Sequence, residues 1–281
     1  MPDYLRPTAL DDALAALGSR RLTVLAGGTD FYPARVGKPL DEPVLDITAL
    51  ESLRAIEKRA DHWRIPALAT WSDIVRADLP PWFDGLKLAA LEIGGRQVQN
   101  AGTLCGNLCN ASPAADGVPV LLSLGAEVEL ASHERRETMP LAAFIRGNRE
   151  TAIAPDQLML AVRVPRPAAE RARGHFLKLG ARRYLVISIV MAAAALEAGA
   201  DGRIVRAAVA VGACSPVARR LPALEEALLG RACDESLGEA VTDAHVAPLA
   251  PLDDARGSAA YRLDAARTLT ARTLAELGSM I

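Results

Sequence analysis

Two cysteines and two asparagines lie within the segment TLCGNLCNASPAAD, residues 103–116. Cys105 and Cys109 are four positions apart, which suits a metal site, a redox-active disulfide or a pair of buried thiols. Structural zinc and iron–sulfur sites take four ligands, and the other cysteines and the histidines show no matching spacing. We therefore expect no metal here. We interpret the segment as a ligand-binding loop in which both cysteines are small apolar residues.

A second segment with chemical potential is AGGTD, residues 26–30, which follows the apolar run LTVL. Two adjacent glycines let the backbone turn tightly and approach a ligand without obstruction by a Cβ. Consecutive N–H groups in such a turn suit a diphosphate, and the Thr29 hydroxyl adds a donor. An ordinary β-turn would use the same residues, so the glycine pair alone leaves both interpretations open.

The same reasoning applies to residues 103–107. Gly106 permits close approach of a ligand, while Thr103 and Asn107 offer side-chain hydrogen bonds. Neither segment has the spacing of a Walker loop or of a Rossmann turn. The residues alone therefore indicate two phosphate-binding segments in one α/β domain.

A helix is predicted directly after the second segment. Ser112 is typical of an N-cap and Pro113 of the first helical position, so we expect a helix over residues 113–124. Asp116 would lie in its first turn. There the carboxylate either stabilises the helix end or accepts hydrogen bonds from ligand hydroxyls.

The surrounding pattern alternates short apolar runs with helical periodicity, as in α/β and α+β proteins. Runs typical of strands lie at residues 22–26, 43–48, 126–130 and 158–164. Residues 187–213 predict two strands around an Ala-Asp-Gly turn, and the Pro- and Arg-rich residues 165–174 predict a linker. The basic residues 171–183 indicate a solvated face, a ligand contact or a surface for an acidic partner, with Lys178 pointing inward.

Composition limits the class of protein. The chain has 281 residues, 51% of them hydrophobic, and a net charge of −2, which fits two domains and gives no indication of nucleic acid or an anionic membrane as a partner. The sequence shows neither a signal peptide nor an apolar run of the roughly 20 residues that a membrane span takes. We expect a cytoplasmic protein whose four cysteines are reduced.

Together, AGGTD and NAGTLCGNLCNASPAAD (100–116) resemble the FAD-binding medium subunit of the molybdenum hydroxylases, the family of xanthine dehydrogenase and aerobic CO dehydrogenase. The family pattern looks like AGGTDL followed by NxGTIGGNxxxASPAAD. HFLKLGARRYLVISIV (175–190) and PLDDARGSAAYR (251–262) are similar to segments of its C-terminal domain. Cys105 departs from the pattern, because the family usually has glycine there, and a positive φ would strain a cysteine.

The resemblance implies an α+β fold. A two-subdomain FAD-binding domain of the PCMH type would occupy residues 1–168, with subdomains at about 1–52 and 53–168. A CO dehydrogenase flavoprotein-type domain, with a three-stranded antiparallel sheet and helices, would occupy residues 172–281. FAD is the implied cofactor. The implied partners are an iron–sulfur small subunit and a molybdopterin-binding large subunit, in a dimer of heterotrimers, together with an external electron acceptor.

The resemblance also implies roles for residues. The FAD pyrophosphate and ribityl chain would contact Leu25, Ala26, Gly27, Gly28, Thr29, Asp30, Phe31, Tyr32, Thr103, Leu104, Cys105, Gly106 and Asn107. Asp116 would hydrogen-bond the cofactor, Lys178 would lie near the isoalloxazine, and Ile93 and Met159 would make apolar contacts. We also assign Ser112, at the start of the predicted helix, and Tyr184, as a residue packing on the flavin ring, to the site.

Three functions compete. The first is an electron-transfer flavin subunit of a molybdenum hydroxylase, in which no residue of this chain acts on an organic substrate. The second is a self-sufficient FAD oxidoreductase similar to UDP-N-acetylenolpyruvoylglucosamine reductase, although the sequence offers no evident proton donor. The third is a non-catalytic binding protein. Flavin absorbance separates the third function from the others, and copurification with partner subunits separates the first from the second.

Overall fold

The computed structural model describes residues 3–281. The chain begins with a small parallel sheet made of β1 (Tyr4–Leu5), β2 (Thr23–Leu25) and β3 (Val44–Asp46). Their order is β1-β3-β2, so β2 is an edge strand. Helix α1 (Leu10–Ser19) follows β1 in the chain and buries three apolar residues at helical spacing, Ala13, Leu14 and Leu17. The AGGTD segment leaves the carboxyl end of β2.

A five-stranded antiparallel sheet follows. It consists of β4 (Glu57–Lys58), β5 (His62–Pro66), β6 (Glu127–Ala131), β7 (Arg136–Pro140) and β10 (Leu158–Pro165) in the order β4-β5-β10-β6-β7. A small hairpin, β8 (Ile145–Gly147) and β9 (Glu150–Thr151), precedes β10. Between β5 and β6 the chain forms α2 (Trp71–Arg76), α3 (Asp84–Glu92), α4 (Arg96–Ala101), α5 (Leu104–Asn110) and α6 (Gly117–Ser123). Helix α7 (Leu141–Phe144) follows β7.

The remainder of the chain is built on a second antiparallel sheet. Its strands are β11 (Arg171–Leu179), β12 (Val190–Ala198), β13 (Ile204–Gly212) and the two-residue β14 (Arg219–Arg220), in chain order. Helices α8 (Pro222–Leu228), α9 (Asp243–Val246) and α10 (Ala259–Met280) complete it. The predicted α+β fold is confirmed, as are the two strands around the Ala-Asp-Gly turn, and β14 adds a short fourth strand to the expected three.

The alanine-rich strand β12 is buried at all nine positions. Met191, Ala193 and Ala195 pack into the core shared with the first two sheets. The alternate residues Val190, Ala194 and Leu196 pack against α8 and α10 in a second core. Both faces of this strand are therefore covered, which explains why it reads as a continuous apolar run without polar alternation.

Two predictions about local structure are wrong. The expected helix over 113–124 begins only at Gly117, because Ala111 takes a left-handed φ of 46° that ends α5, and residues 112–115 form a turn. The predicted linker over 165–174 shrinks to residues 166–170, since β11 already begins at Arg171. Arginines alternate there with small residues that pack inward, a period of two that the basic composition concealed.

The short link to the second sheet is held by one buried carboxylate. Glu197 of β12 accepts hydrogen bonds from the N–H groups of Ala168 and Ala169, at 2.7 and 2.9 Å, and pairs with Arg206 at 2.8 Å. The predicted boundaries of the two domains, at residues 168 and 172, stay a prediction. Among residues 3–281, no helix combines the length and the apolar character that crossing a bilayer takes.

Candidate functional site

A cleft of about 700 Å³ lies beside the AGGTD segment, within the range of roughly 300–1,000 Å³ typical of small-molecule sites. Its walls are the AGGTD loop, one face of α5, residues 153–159 and the outer side of β2. Twelve of the residues assigned from the sequence line it: Ala26, Gly27, Gly28, Thr29, Asp30, Phe31, Ile93, Thr103, Cys105, Gly106, Asn107 and Met159.

The AGGTD loop depends on both of its glycines. A Cβ on Gly27 would lie 1.9 Å from the carbonyl oxygen of Ala101, so this glycine lets two segments of backbone touch. Gly28 has a φ of +71°, in the left-handed region that favours glycine, and the ring of Tyr32 folds over it. The loop is thus pressed against the backbone that leads into α5.

This loop also presents unused hydrogen-bond donors. The backbone N–H groups from Gly27 to Phe31 donate no hydrogen bond to any group within residues 3–281. Consecutive free N–H groups in a tight turn form a concave nest of partial positive charge that binds phosphate oxygens. These residues are half-buried or exposed at the cleft, so their free donors are accessible to a ligand, and an anionic ligand suits them best.

The second segment, expected to be a loop, is instead the start of a helix. The Thr103 side chain caps α5 by accepting a hydrogen bond from the N–H of Gly106 at 3.0 Å. Because Cys105 lies inside this helix, it does not take the positive φ that would have strained it. The loop prediction is wrong here. The glycine and asparagine of TLCGN are typical of turns, but Thr103 is an N-cap and the residues after it form helix α5.

Asn107 leaves one polar atom unsatisfied. It lines the cleft, and its Oδ1 is buried without a hydrogen-bond partner in the described chain. An unpaired buried acceptor costs free energy, by roughly 1–3 kcal/mol. The Oδ1 atom is shielded from solvent and lies on the Gly117 side, 3.3 Å from a Cβ built on that glycine, so other atoms of Asn107 form its part of the cleft wall.

Asp116 and Lys178 contact each other behind the cleft lining. The Lys178 Nζ lies 2.7 Å from Asp116 Oδ2 and 3.4 Å from the carbonyl oxygen of Glu92, next to the cleft residue Ile93. Ser188 donates to Asp116 Oδ1 at 2.6 Å. Lys178 points inward, as expected. Burial raises the pKa of Asp116 even though Lys178 and Ser188 oppose the shift.

The other assigned residues do not line the cleft. Leu25 and Leu104 are buried in the core behind it. The Ser112 hydroxyl accepts a hydrogen bond from the N–H of Ala114 at 3.3 Å, in the turn after α5. Tyr32 covers Gly28 at the rim, and Tyr184 is 60% exposed on the loop between β11 and β12. Contact of Tyr184 with a flavin ring stays a prediction.

Sequence reasoning missed several members of the site. Gly102 is one of them. A Cβ at this position would lie 3.3 Å from the Thr29 hydroxyl and 3.4 Å from the Trp71 ring, so glycine allows these groups to pack closely. Its position directly before Thr103 was a usable signal. Ser188 gave none, because its contact with Asp116 spans 72 residues. The cleft is also lined by Arg21, Cys109, Asn110, Ile153, Ala154, Pro155, Gln157 and Leu158.

The cysteines behave as thiols. All four are free, and no group of three or more potential metal ligands occurs within residues 3–281. Cys105 is buried, and burial raises its pKa well above the usual value for a thiol, which disfavours the reactive thiolate. Cys109 is exposed to the cleft.

The arrangement fits a dinucleotide. Free N–H groups suit a diphosphate, the polar side chains of the lining, such as Thr29 and Thr103, suit hydroxyl groups, and its apolar side chains, such as Ile93 and Met159, suit ring systems. Gly27 and Gly28 hold the loop against Ala101 and Tyr32, and Gly106 lines the cleft without a side chain.

Known proteins share this whole architecture. Residues 1–167 match the FAD binding domain in molybdopterin dehydrogenase, and residues 175–277 match the CO dehydrogenase flavoprotein C-terminal domain. The chain is 28% identical to the nicotine 6-hydroxylase medium subunit of Paenarthrobacter nicotinovorans, over 98% of this chain and 97% of that one. It resembles a chain of reconstituted CO dehydrogenase from Oligotropha carboxidovorans with a TM-score of 0.90 at 27% identity, covering 99% and 98% of the two chains.

A second solved structure agrees. A chain of quinoline 2-oxidoreductase from Pseudomonas putida 86 gives a TM-score of 0.87 at 25% identity, over 99% of this chain and 97% of that one. One family model covers the part of the chain that forms the cleft, the other covers most of the C-terminal part, and the full-length relatives cover both. This chain therefore belongs to the FAD-binding medium subunits of the molybdenum hydroxylases, the oxidoreductase family of CO dehydrogenase and xanthine dehydrogenase.

Proposed function

We propose that this chain is the electron-transfer subunit of a molybdenum hydroxylase. It takes electrons from iron–sulfur clusters on a partner small subunit and passes them to an external acceptor. A third, molybdopterin-binding subunit acts on the organic substrate. The observation that carries the proposal is the run of free N–H groups from Gly27 to Phe31 at a cleft of dinucleotide size.

Binding and orientation are the tasks of this chain's own residues. The N–H groups of the AGGTD loop would hold the diphosphate, and the side chain of Asn107, in the cleft wall, would hydrogen-bond the ribityl chain. The N-terminal face of α5 forms the opposite wall through Thr103, Cys105 and Gly106. When bound, FAD supplies a carrier that takes up two electrons and passes them on singly or in pairs.

Asp116 and Lys178 place the ring end of the cofactor. Lys178 reaches the carbonyl of Glu92, one residue from Ile93 in the cleft wall. The pair therefore lies at the end of the cleft that faces the C-terminal sheet. There Lys178 supplies a positive charge beside the isoalloxazine, and Asp116 orients it. Tyr184, exposed on the loop between β11 and β12, would pack on the flavin ring.

The partner arrangement follows the family. The relatives in CO dehydrogenase and nicotine 6-hydroxylase are named as medium chains or subunits, and we assign this chain the same position in a dimer of heterotrimers. The domain boundaries at 168 and 172 belong to this proposal, with the FAD-binding part before the link held by Glu197 and the remainder after it.

Anaerobic stopped-flow spectroscopy at the flavin absorbance tests the division of labour. The isolated, flavin-loaded chain should not bleach when purines, aldehydes or N-heterocycles are added. Bleaching should follow only after an iron–sulfur and a molybdenum subunit are supplied. Rapid bleaching of the isolated chain by an organic substrate would instead establish a self-sufficient oxidoreductase, and a colourless chain would establish a binding protein.

A further inference from the structure

Helix α10 carries one buried charge, the guanidinium of Arg262, which is 4% exposed. Charged side chains are rarely buried unless they are paired. The Nη2 of Arg262 donates to Asp254 Oδ1 at 2.6 Å, in the loop before the helix. Its Nη1 donates to two backbone carbonyls, that of Ile189 at 2.7 Å and that of Ala213 at 3.1 Å. The guanidinium therefore joins the residue before β12 to the residue after β13.

Both of these places contact the segment that carries Asp116. Beside the start of β12, Ser188 donates to Asp116 Oδ1 at 2.6 Å. After the end of β13, the N–H of Ala213 donates to the carbonyl of Pro113 at 3.1 Å. Ala213 takes a left-handed φ of 62°, which a residue with a Cβ adopts only at a cost in free energy. Arg262 thus lies directly behind two contacts between the second sheet and residues 113–116.

The surroundings of Asp116 make the position of these contacts important. The residue is 5% exposed, and burial raises the pKa of its carboxyl, to which the nearby Glu92 carboxylate adds. Lys178 and Ser188 oppose that shift from two sides, one from β11 and one from the start of β12. Hydrogen bonds weaken steeply when their geometry departs from linear. The backbone that carries Ser188 must therefore be held firmly if Asp116 is to keep this partner.

We propose that Arg262 is a positioning residue of the cofactor site. It fixes the backbone on both sides of Asp116 and thereby holds the carboxylate where Lys178 and the ring end of the cofactor can both reach it. Arg262 itself does not line the cleft. A planar guanidinium suits this task, because its fork presents several donors in fixed directions. The inference rests on the proposed placement of Asp116 and Lys178 at the ring end of the cofactor.

Calorimetric titration of the full-length chain, stripped of flavin, with FAD and with ADP tests the inference. ADP shares the diphosphate with FAD and lacks the flavin ring. Arg262→Met keeps a long side chain and removes every donor, Ser188→Ala removes the hydroxyl alone, and a double variant combines them. Glu197→Ala is the matched control, because it removes a buried carboxylate at the far end of β12, roughly 23 Å along the strand from Val190. Circular dichroism checks folding, and Arg262→Lys, with one nitrogen in place of the fork, replaces Arg262→Met if that variant is unfolded.

Arg262→Met and Ser188→Ala should each weaken FAD by about five- to tenfold, for one hydrogen bond lost at the ring end. The affinity for ADP should be unchanged in both. The double variant should bind FAD as Arg262→Met does, because the Ser188 hydroxyl is already out of place there. Glu197→Ala should bind FAD and ADP as the wild type does.

Three results would overturn the inference. Equal weakening of FAD and ADP in Arg262→Met would mean that this arginine serves the fold alone. Multiplied single effects in the double variant would mean that Arg262 and Ser188 act independently, and unchanged FAD affinity in either single variant would separate that residue from the cofactor. A wild-type chain that does not bind FAD would instead contradict the proposed function itself.

Discussion

The two glycine segments of the cleft have similar compositions and different structural tasks. In AGGTD, Gly27 lets the loop touch the backbone at Ala101, and Gly28 takes a left-handed conformation. In TLCGN, Gly106 lies within helix α5, where a Cβ would meet only the Thr103 hydroxyl, at 2.9 Å. Glycine is thus required for folding in the first segment and for open space beside the ligand in the second.

The two segments also differ in what holds them. The AGGTD loop is fixed within the N-terminal part of the chain by its contact with residues 101–102. The segment after α5 is tied to the C-terminal sheet, because Asp116 contacts both Lys178 and Ser188. The two segments should therefore respond differently to mutation. A change in AGGTD should lower both the stability and the cofactor content, whereas a change at Gly106 should lower mainly the cofactor content.

Gly27→Val should have the largest effect, because it affects both properties. The 1.9 Å approach to Ala101 involves backbone on both sides, so no side chain can move aside. We expect a loss of stability above about 4 kcal/mol or failure to fold, measured by denaturant unfolding, together with loss of flavin. Gly18→Val is the control, since Gly18 likewise has no positive φ and a Cβ built on it meets nothing closer than 3.8 Å. Equal behaviour of the two variants would show that the contact with Ala101 does not explain the need for glycine at position 27.

Lys178→Ala should come next and should loosen only the second segment. Removing one partner leaves a buried carboxylate, at a cost of about 3–5 kcal/mol. Hydrogen exchange should rise around residues 110–117 and stay unchanged at the paired amides of Thr23, Val44 and Ile47, in and beside the small sheet that leads into the AGGTD loop. The double variant Asp116→Asn, Lys178→Met removes both charges and should recover most of the stability. An equal rise in exchange at both places would contradict the view that the two segments are held by different contacts.

The same variant should show a defined pH dependence. Burial raises the pKa of Asp116, and without Lys178 nothing but Ser188 opposes that shift. A carboxyl with a raised folded-state pKa stabilises the fold below its unfolded pKa of about 3.9 and loses that contribution as pH rises through the folded value. The deficit of Lys178→Ala relative to the wild type should therefore widen between acidic and neutral pH. A deficit that is constant with pH would mean that Asp116 does not carry the charge.

Gly106→Val should affect the ligand far more than the fold. Its side chain meets one hydroxyl, so we expect a loss of about 1–3 kcal/mol, with normal circular dichroism and little bound flavin. Flavin occupancy equal to that of the wild type would move the ligand away from α5.

The double variant Cys105→Ala, Cys109→Ala should have the smallest effect. Both side chains are small, and the raised pKa of Cys105 keeps its thiol protonated. Flavin content should match the wild type, and stability should change by about 1 kcal/mol. Stoichiometric zinc or iron in the wild type that is lost from the variant would restore the metal interpretation.

Local sequence signals predicted an element correctly where no neighbouring element competed for the same residues. The Ala-Asp-Gly turn separated β12 from β13 despite their helix-favouring alanines, because both runs were short and apolar. Two glycines after an apolar run marked the AGGTD turn. In contrast, Ser112-Pro113 looked like a helix start but forms a turn, since α5 had already used the preceding residues. Contacts such as Asp116 with Ser188 depend on tertiary packing and have no local signature.

The central claim is that this chain holds one FAD through the AGGTD nest. Flavin released by heat from the purified full-length chain, identified by chromatography and counted against protein, tests it most directly. We expect one FAD per chain, no FMN, and little flavin from Gly106→Val. Recovery of FMN from the wild type, or of no flavin at all, would contradict it.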